Sequence, residues 1–190
     1  MLESTRFSNA FIDMWRQRGG TRLTLRPVLP KNASLFGKMV TQLSASRSNR
    51  FYGSIQGLSE VALKPMSCID YAHAMAFVIT FEDKSRDQQV IADARYAVDA
   101  HAADHAEFAV MVDDRWQRCG LGGRTVQALK IAAQHAGLRW LYGDVRARNV
   151  PMLSLMRGCR FSCTQPSGKC ISSSRRSIRF IFCCRASGAA

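Results

Sequence analysis

What the 190-residue sequence lacks narrows the class of protein. No apolar run approaches the length of a transmembrane helix, and residues 1–20 lack the apolar stretch and cleavage site of a secretory signal. The seven cysteines are an odd number, and "CRFSC" (159–163) has no second ligand pair at zinc-finger spacing. We therefore expect a cytoplasmic protein with free thiols and no membrane partner, disulfide framework or metal site.

Acidic residues are missing from the last quarter of the chain. Asp144 is the last of fourteen, whereas nine Lys or Arg residues follow it, so this segment carries most of the formal net charge of +13. Two interpretations stay open: the basic tail docks an acidic partner, nucleic acid or an anionic cofactor, or it is a solvated segment without a partner.

Hydrophobic periodicity predicts one mixed α/β domain with a mostly antiparallel central sheet flanked by helices. Apolar runs indicate six strands and a short extra one, and helical spacing indicates four helices. The helix at 121–135 would bury Val126, Leu129, Lys130 and Ala133. We expect residues 1–20 to be an N-terminal extension and 21–190 to be the domain, with an atypical basic, Cys- and Ser-rich tail at 166–190.

Three glycines, Gly120, Gly122 and Gly123, lie within four residues at the start of that predicted helix. Glycine lets the backbone approach a ligand closely, and a helix start presents unpaired N–H groups and the positive end of a dipole. Together these features predict a site for a phosphate group.

Two familiar phosphate loops fit this segment poorly. A Walker loop needs a four-residue spacer and a lysine after its last glycine, and "GLGGRT" has neither. The dinucleotide fingerprint matches Gly120 and Gly122, but Thr125 replaces the third glycine. In addition, seven residues separate the preceding strand from Gly120, where that motif needs a tight turn.

A third loop fits better. "QRCGLG" (117–122) has the pattern Gln-x-x-Gly-x-Gly and resembles motif A of the GNAT acyltransferase superfamily. "AEFAVMVDDRWQRCGLG" and "GLRWLYGDVRARNVPMLSLMRGCRF" resemble the family's segment from fourth strand to fourth helix. "SRSNRFYG" and "CIDYAHAMAFV" resemble its bacterial protein-lysine acetyltransferase branch. The likeness covers about residues 21–161 and implies the GNAT fold, with transfer of an acetyl group from acetyl-CoA to an amine, a protein lysine being the preferred acceptor.

The resemblance also implies which residues hold coenzyme A. Backbone N–H groups of residues 118–123 would receive the diphosphate, with a charge-assisted contact from Arg118 or Arg124. The strand before the loop would bond the pantetheine through its backbone, and Asn149 would either contact the cofactor, cap the next helix, or do both. The implied set is Met111, Val112, Gln117, Arg118, Cys119, Gly120, Leu121, Gly122, Gly123, Arg124 and Asn149.

The implied reaction needs a base, because a free lysine has a pKa of about 10.4 and attacks only as the neutral amine. Glu107 is our candidate, since it lies on the strand that carries the catalytic glutamate in the resembling acetyltransferases. The alternatives are that Glu107 is merely an exposed strand residue, or that His101 or His105 is the base.

The sequence departs from the family in two places. Met156 stands where many members have a tyrosine that protonates the leaving thiolate, and Arg160 stands where a glycine usually precedes Phe161. A left-handed helix end at Arg160 would be costly. The tail is either the last two strands, at "FSCTQ" and "SIRFIFCC", or a frame-shifted segment that pairs poorly with the fold.

A second function stays open: a non-catalytic acyl-CoA-binding module whose basic tail docks an acidic partner or nucleic acid. For the enzyme itself we do not expect nucleic acid as a partner. The sequence leaves the oligomeric state undetermined, a homodimer included.

Overall fold

The computed structural model describes residues 11–17, 19–42, 66–82, 87–164 and 177–184. Within them lie eight strands and three α-helices. The strands are β1 (Asp13–Arg16), β2 (Arg22–Pro27), β3 (Ala74–Glu82), β4 (Gln88–Asp99), β5 (Ala102–Val112), β6 (Trp140–Arg146), β7 (Ser162–Thr164) and β8 (Ser177–Cys183). The helices are α1 (Ala33–Gln42), α2 (Leu121–His135) and α3 (Val150–Gly158), and short 3-10 turns occupy Pro30–Asn32 and Asp114–Trp116.

The described strands form one sheet in the order β1-β2-β3-β4-β5-β6-β8-β7. Every neighbouring pair is antiparallel except β5 and β6, which run parallel. The predicted mixed, mostly antiparallel sheet with flanking helices is therefore confirmed. Residues 58–65 of the predicted short helix at "LSEVALKPM" and the segment "SRSNRFYG" lie outside the described residues. None of the described helices is long and apolar enough to cross a membrane.

Part of the segment that we expected to be an N-terminal extension is a strand of the sheet. Asp13 pairs with Leu25 and Arg16 with Arg22, so β1 is the edge strand beside β2. Two glycines with positive φ, Gly19 (+97°) and Gly20 (+86°), reverse the chain between the two strands. The sheet therefore begins before residue 21, where we expected the domain to start.

Apolar side chains on the two faces of the sheet form two separate cores. Along β5, Ala106, Phe108 and Val110 face α2 and α3, whereas Met111 packs with Phe36 of α1 on the other side. Because successive side chains of a strand point to opposite faces of the sheet, neighbouring residues of β5 enter different cores. On α2 the predicted inner positions Val126, Leu129, Lys130 and Ala133 are all buried.

Lys130 is a charged residue within the larger core. Its ammonium donates to the carbonyl oxygen of Cys159 at 3.0 Å and lies 3.7 Å from the centre of the Phe182 ring. Burial lowers the pKa of Lys130. The side chain thereby links α2 to the end of α3 and to β8, and its burial is tolerated because the charge has both a hydrogen-bond acceptor and an aromatic face.

The two predicted C-terminal strands are present as β7 and β8. All seven residues of β8 pair with β6, from Trp140 with Cys183 to Arg146 with Ser177. Phe180 at its centre is fully buried. Before β7, Arg160 has φ of +61°, so the chain adopts the left-handed conformation that we expected to be costly for arginine.

Candidate active site

The parallel strands β5 and β6 separate part-way along their length. They pair at His105 with Trp140, Ala106 with Leu141 and Glu107 with Tyr142, and the register ends there. β5 nevertheless continues to Val112, held by β4, and β6 continues to Arg146, held by β8. Because each strand stays with its outer neighbour, a fork opens in the sheet, with its apex at Glu107 and Tyr142.

Gly143 is the first residue of β6 beyond the apex. A Cβ atom there would lie 3.0 Å from Cε1 of Phe108 and 3.1 Å from the Phe108 carbonyl oxygen. Only glycine lets the two strands come this close at the point where they part. Our sequence analysis did not select Gly143, although a glycine inside a predicted strand is a signal of close backbone approach.

The chain leaves β5 through a tightly bonded turn. The buried carboxylate of Asp113 accepts from the backbone N–H of Arg115 at 2.9 Å and from its guanidinium. Burial opposes ionisation of Asp113, but the hydrogen bonds from Arg115 hold the pKa of the carboxyl below its usual value. Gln117 donates from Nε2 to the carbonyl oxygen of Val112 and to Oδ1 of Asp114, each at 3.1 Å. These bonds fix where the glycine loop begins.

The three glycines of the loop have different surroundings. Gly120 has φ of +81° and is the N-cap of α2, without a capping side chain, so the first N–H groups of the helix receive no side-chain cap. Gly122 packs against α3, since a Cβ there would lie 3.0 Å from Cδ2 of Leu155. A Cβ at Gly123 would have no neighbour within 4 Å.

The two arginines proposed for the diphosphate have different surroundings. Arg124 is half exposed and donates to Oδ2 of Asp13 on β1 at 2.6 Å, with its guanidinium 4.3 Å from the centre of the Trp15 ring. Arg118 is exposed in the loop itself, with φ of +59°. Gln17, directly after β1, donates to the carbonyl oxygen of Cys119 at 3.3 Å. β1 therefore lies against the loop that leads into α2.

Asn149 caps α3, which is one of the roles that our sequence analysis left open for it. Its side-chain oxygen accepts from the backbone N–H of Met152 at 3.4 Å, and Pro151 occupies the first turn of the helix. Further along α3, Met156 is fully buried in the larger core. The position where many GNAT members have a tyrosine thus faces the core.

Glu107 is exposed at the last residue pair before the fork. His105 lies two residues earlier on the same face, and its Nδ1 is 2.6 Å from Oδ1 of Asp104. This contact holds the pKa of Asp104 below its usual value. His101 lies in the turn before β5 and is exposed. The structure thus brings Glu107 and His105 together beside the fork and leaves His101 in the turn.

Tyr142 faces the same side of the sheet as Glu107, because directly paired residues of neighbouring strands share a face. Its hydroxyl donates to Oδ2 of Asp99 at 2.9 Å. The backbone N–H of His101 also donates to Asp99, and these two bonds hold the pKa of Asp99 below its usual value. Sequence reasoning missed Asp99, since no local pattern connects residues on different strands.

Comparison with known proteins agrees with this architecture. No protein-family model matches the chain. It is 30% identical over 139 residues to acetyltransferase Pat of Mycolicibacterium smegmatis, a match that covers 73% of this chain and 41% of Pat. The chain therefore spans less than half the length of that curated relative.

Solved structures extend the comparison to the fold. The GNAT domain of S. lividans PAT superposes with a TM-score of 0.76 at 18% identity, over 92% of this chain and 98% of that domain. A putative acetyltransferase of Salmonella typhimurium, solved with acetyl-CoA, gives a TM-score of 0.65 at 14% identity, over 88% of this chain and 96% of that one.

The forked sheet and the glycine loop are thus parts of a GNAT fold, and the resemblance to the GNAT acyltransferases is confirmed. Among the proteins with this fold, the chain is similar to the acetyltransferase Pat of Mycolicibacterium smegmatis.

Proposed function

We propose that the chain is an acetyl-CoA-dependent N-acetyltransferase that acts on an amine, with a protein lysine as the preferred acceptor. The observation that carries the proposal is the fork between β5 and β6, which has a carboxylate at its apex and the glycine loop following its first strand. The similarity to acetyltransferase Pat supports the same activity.

The cofactor end of the fork suits coenzyme A. Gly120 leaves the first N–H groups of α2 without a side-chain cap, and the dipole of the helix favours an anion there. The backbone N–H groups of residues 118–123 would hold the diphosphate, with the Arg118 side chain exposed beside it. Arg124 would reach the same phosphates only after leaving Asp13. Met111 and Val112 would bond the pantetheine through their backbone, and Asn149 would contact it while capping α3.

Glu107 is the proposed general base. It lies at the apex, exposed, on the face opposite α2 and α3. From there its carboxylate would accept the proton of the incoming amine directly or through a water molecule. His105 is the alternative base within the same face, where its Nδ1 lies 2.6 Å from Oδ1 of Asp104. The bound thioester supplies the activated acetyl group.

The leaving thiolate would depart without a proton from α3, because the buried Met156 has no acidic group. A thiol with a pKa of about 8.5 is a good enough leaving group for this. The buried Met156 also favours the second candidate function, a non-catalytic acyl-CoA-binding module with a basic tail.

We propose the cytoplasm as the location, because free thiols are typical of a reducing compartment. Among the described residues, free thiols are present on Cys68, Cys119, Cys159, Cys183 and Cys184.

Calorimetric titration with acetyl-CoA tests the cofactor assignment. We expect saturable binding, and no binding of NAD under the same conditions. A second measurement follows release of free coenzyme A in the presence of an N-terminally blocked peptide with one internal lysine. Binding with turnover supports the enzyme, binding without turnover for any amine supports the module, and the absence of acetyl-CoA binding contradicts both.

A further inference from the structure

A cavity of about 310 Å³ opens beside the apex of the fork. It is lined by Asp99, His105, Trp140, Tyr142 and Ile181, which come from β4, β5, β6 and β8. We propose that this cavity, the acceptor pocket, binds the side chain of the lysine that is to be acetylated. The proposal rests on the acetyltransferase function proposed above.

The position of the acceptor pocket follows from the strand register. His105 pairs with Trp140, Glu107 pairs with Tyr142, and Tyr142 pairs in turn with Ile181, so these side chains share one face of the sheet. The hydrogen bond from Tyr142 on β6 to Asp99 on β4 spans the intervening strand β5. The acceptor pocket therefore begins at the strand level of the proposed base.

Charge makes the pocket suitable for a cation. The chain carries a formal net charge of +13, yet the lining includes the carboxylate of Asp99, with Asp104 bonded to His105 and Glu107 next to Tyr142. Asp99 is fixed in place by the Tyr142 hydroxyl and the His101 N–H. A positioned carboxylate can accept a charge-assisted hydrogen bond from an ammonium group.

The apolar part of the lining distinguishes lysine from a bare amine. Trp140 and Ile181 offer apolar walls, and the Trp140 ring centre lies 6.4 Å from that of His105. A lysine has an aliphatic stem that packs on such surfaces and an ammonium that reaches a carboxylate. The α-amine at a chain terminus has no such stem.

Direct binding of a lysine side chain tests the proposal without depending on turnover. The protein is saturated with coenzyme A and titrated with Nα-acetyl-lysine amide, whose side-chain amine is free. The indole N–H signals of Trp15, Trp116 and Trp140 are followed by NMR. Substitution Trp140→Phe assigns the relevant signal. We expect the Trp140 signal to shift with saturation and the other two to stay. N-acetyl-norleucine amide, which lacks the ammonium, should bind at least about tenfold more weakly.

Substitutions then locate the carboxylate that matters. Asp99→Asn should weaken binding of the lysine probe about tenfold, and Tyr142→Phe should weaken it less, because only the support of Asp99 is lost. Glu82→Gln removes an exposed carboxylate at the far end of β3 and should leave the affinity unchanged. Coenzyme A affinity should be the same in all three variants, which also reports that each is folded.

Three outcomes would overturn the acceptor pocket: a Trp140 signal that does not move, an Asp99→Asn variant with full affinity for the probe, or glycine amide binding as well as the lysine probe. Failure of coenzyme A itself to bind would instead contradict the proposed function. The two failures are therefore distinguishable in one set of titrations.

Discussion

The two sides of the fork are built from different parts of the chain. On the proposed cofactor side, residues 117–123 are contiguous and would act through backbone geometry, with φ of +81° at Gly120. On the proposed acceptor side, the pocket collects side chains from four strands, and these include a carboxylate, an imidazole and a phenol. The comparison teaches that one side depends on conformation and close packing, and the other on charge and functional groups.

The largest expected effect tests the side-chain half of this comparison. Glu107→Gln keeps the size of the side chain but removes the proton acceptor, so kcat should fall about 10²- to 10⁴-fold. Acetyl-CoA affinity should not change, because the proposed diphosphate site lies on the other side of the fork. Turnover is followed by release of coenzyme A, and affinity by calorimetry.

Glu82→Gln serves as the control for loss of an exposed carboxylate, and it should turn over as the parent does. Retention of full activity by Glu107→Gln would contradict the assignment of the base. His105→Gln should then show the large loss in its place.

The division between a contiguous loop and a pocket built from four strands also explains what could be predicted from the sequence. The loop, the bounds of α2 and the cap at Asn149 follow from residues within a few positions of one another, and the structure has α2 at Leu121–His135 as predicted. Neither the end of the β5–β6 pairing nor the bond between Asp99 and Tyr142 could be predicted, because both depend on strand register. The edge strand β1 was missed because Asp13–Arg16 has only four residues.

Packing at the apex should give the next largest effect. Gly143→Ala places a Cβ 3.1 Å from the carbonyl oxygen of Phe108, and a backbone atom in a paired strand cannot easily move aside. We expect the free energy of unfolding to fall by about 1–3 kcal/mol, measured by urea denaturation. Gly123→Ala is the matched control, since its Cβ meets nothing within 4 Å and alanine favours a helix. If the Gly143→Ala variant is as stable as the parent, β5 and β6 do not approach each other at Gly143 as closely as the structure has them.

Backbone conformation in the loop gives a somewhat smaller effect. Gly120→Ala adds no clash, but it forces a residue with a side chain to adopt φ of +81°. The cost should be about 1–2 kcal/mol, and the strained loop should also bind acetyl-CoA more weakly. Gly158→Ala on α3 adds the same methyl group, again without a neighbour within 4 Å; because alanine favours a helix, it should not lower the stability, and acetyl-CoA affinity should not change. If both variants bind acetyl-CoA as the parent does, the conformation of the loop does not control the affinity.

The smallest effect concerns the end of α3, where an arginine occupies a position that favours glycine. The N–H of Phe161 donates to the carbonyl oxygen of Met156 at 3.0 Å, so the helix ends in a Schellman motif with Arg160 at φ of +61°. Arg160→Gly should relieve this strain and remove a like charge that lowers the pKa of Lys130. Because glycine also gains freedom in the unfolded chain, the net stabilisation should be only about 0.5–1 kcal/mol, seen as a higher Tm. Arg157→Gly, three residues earlier within the helix, should instead destabilise by about 1 kcal/mol. If Arg160→Gly raises the stability and Arg157→Gly lowers it, backbone conformation decides the effect of the same substitution here, as we expect at Gly120. A loss of stability in both variants would refute the left-handed helix end.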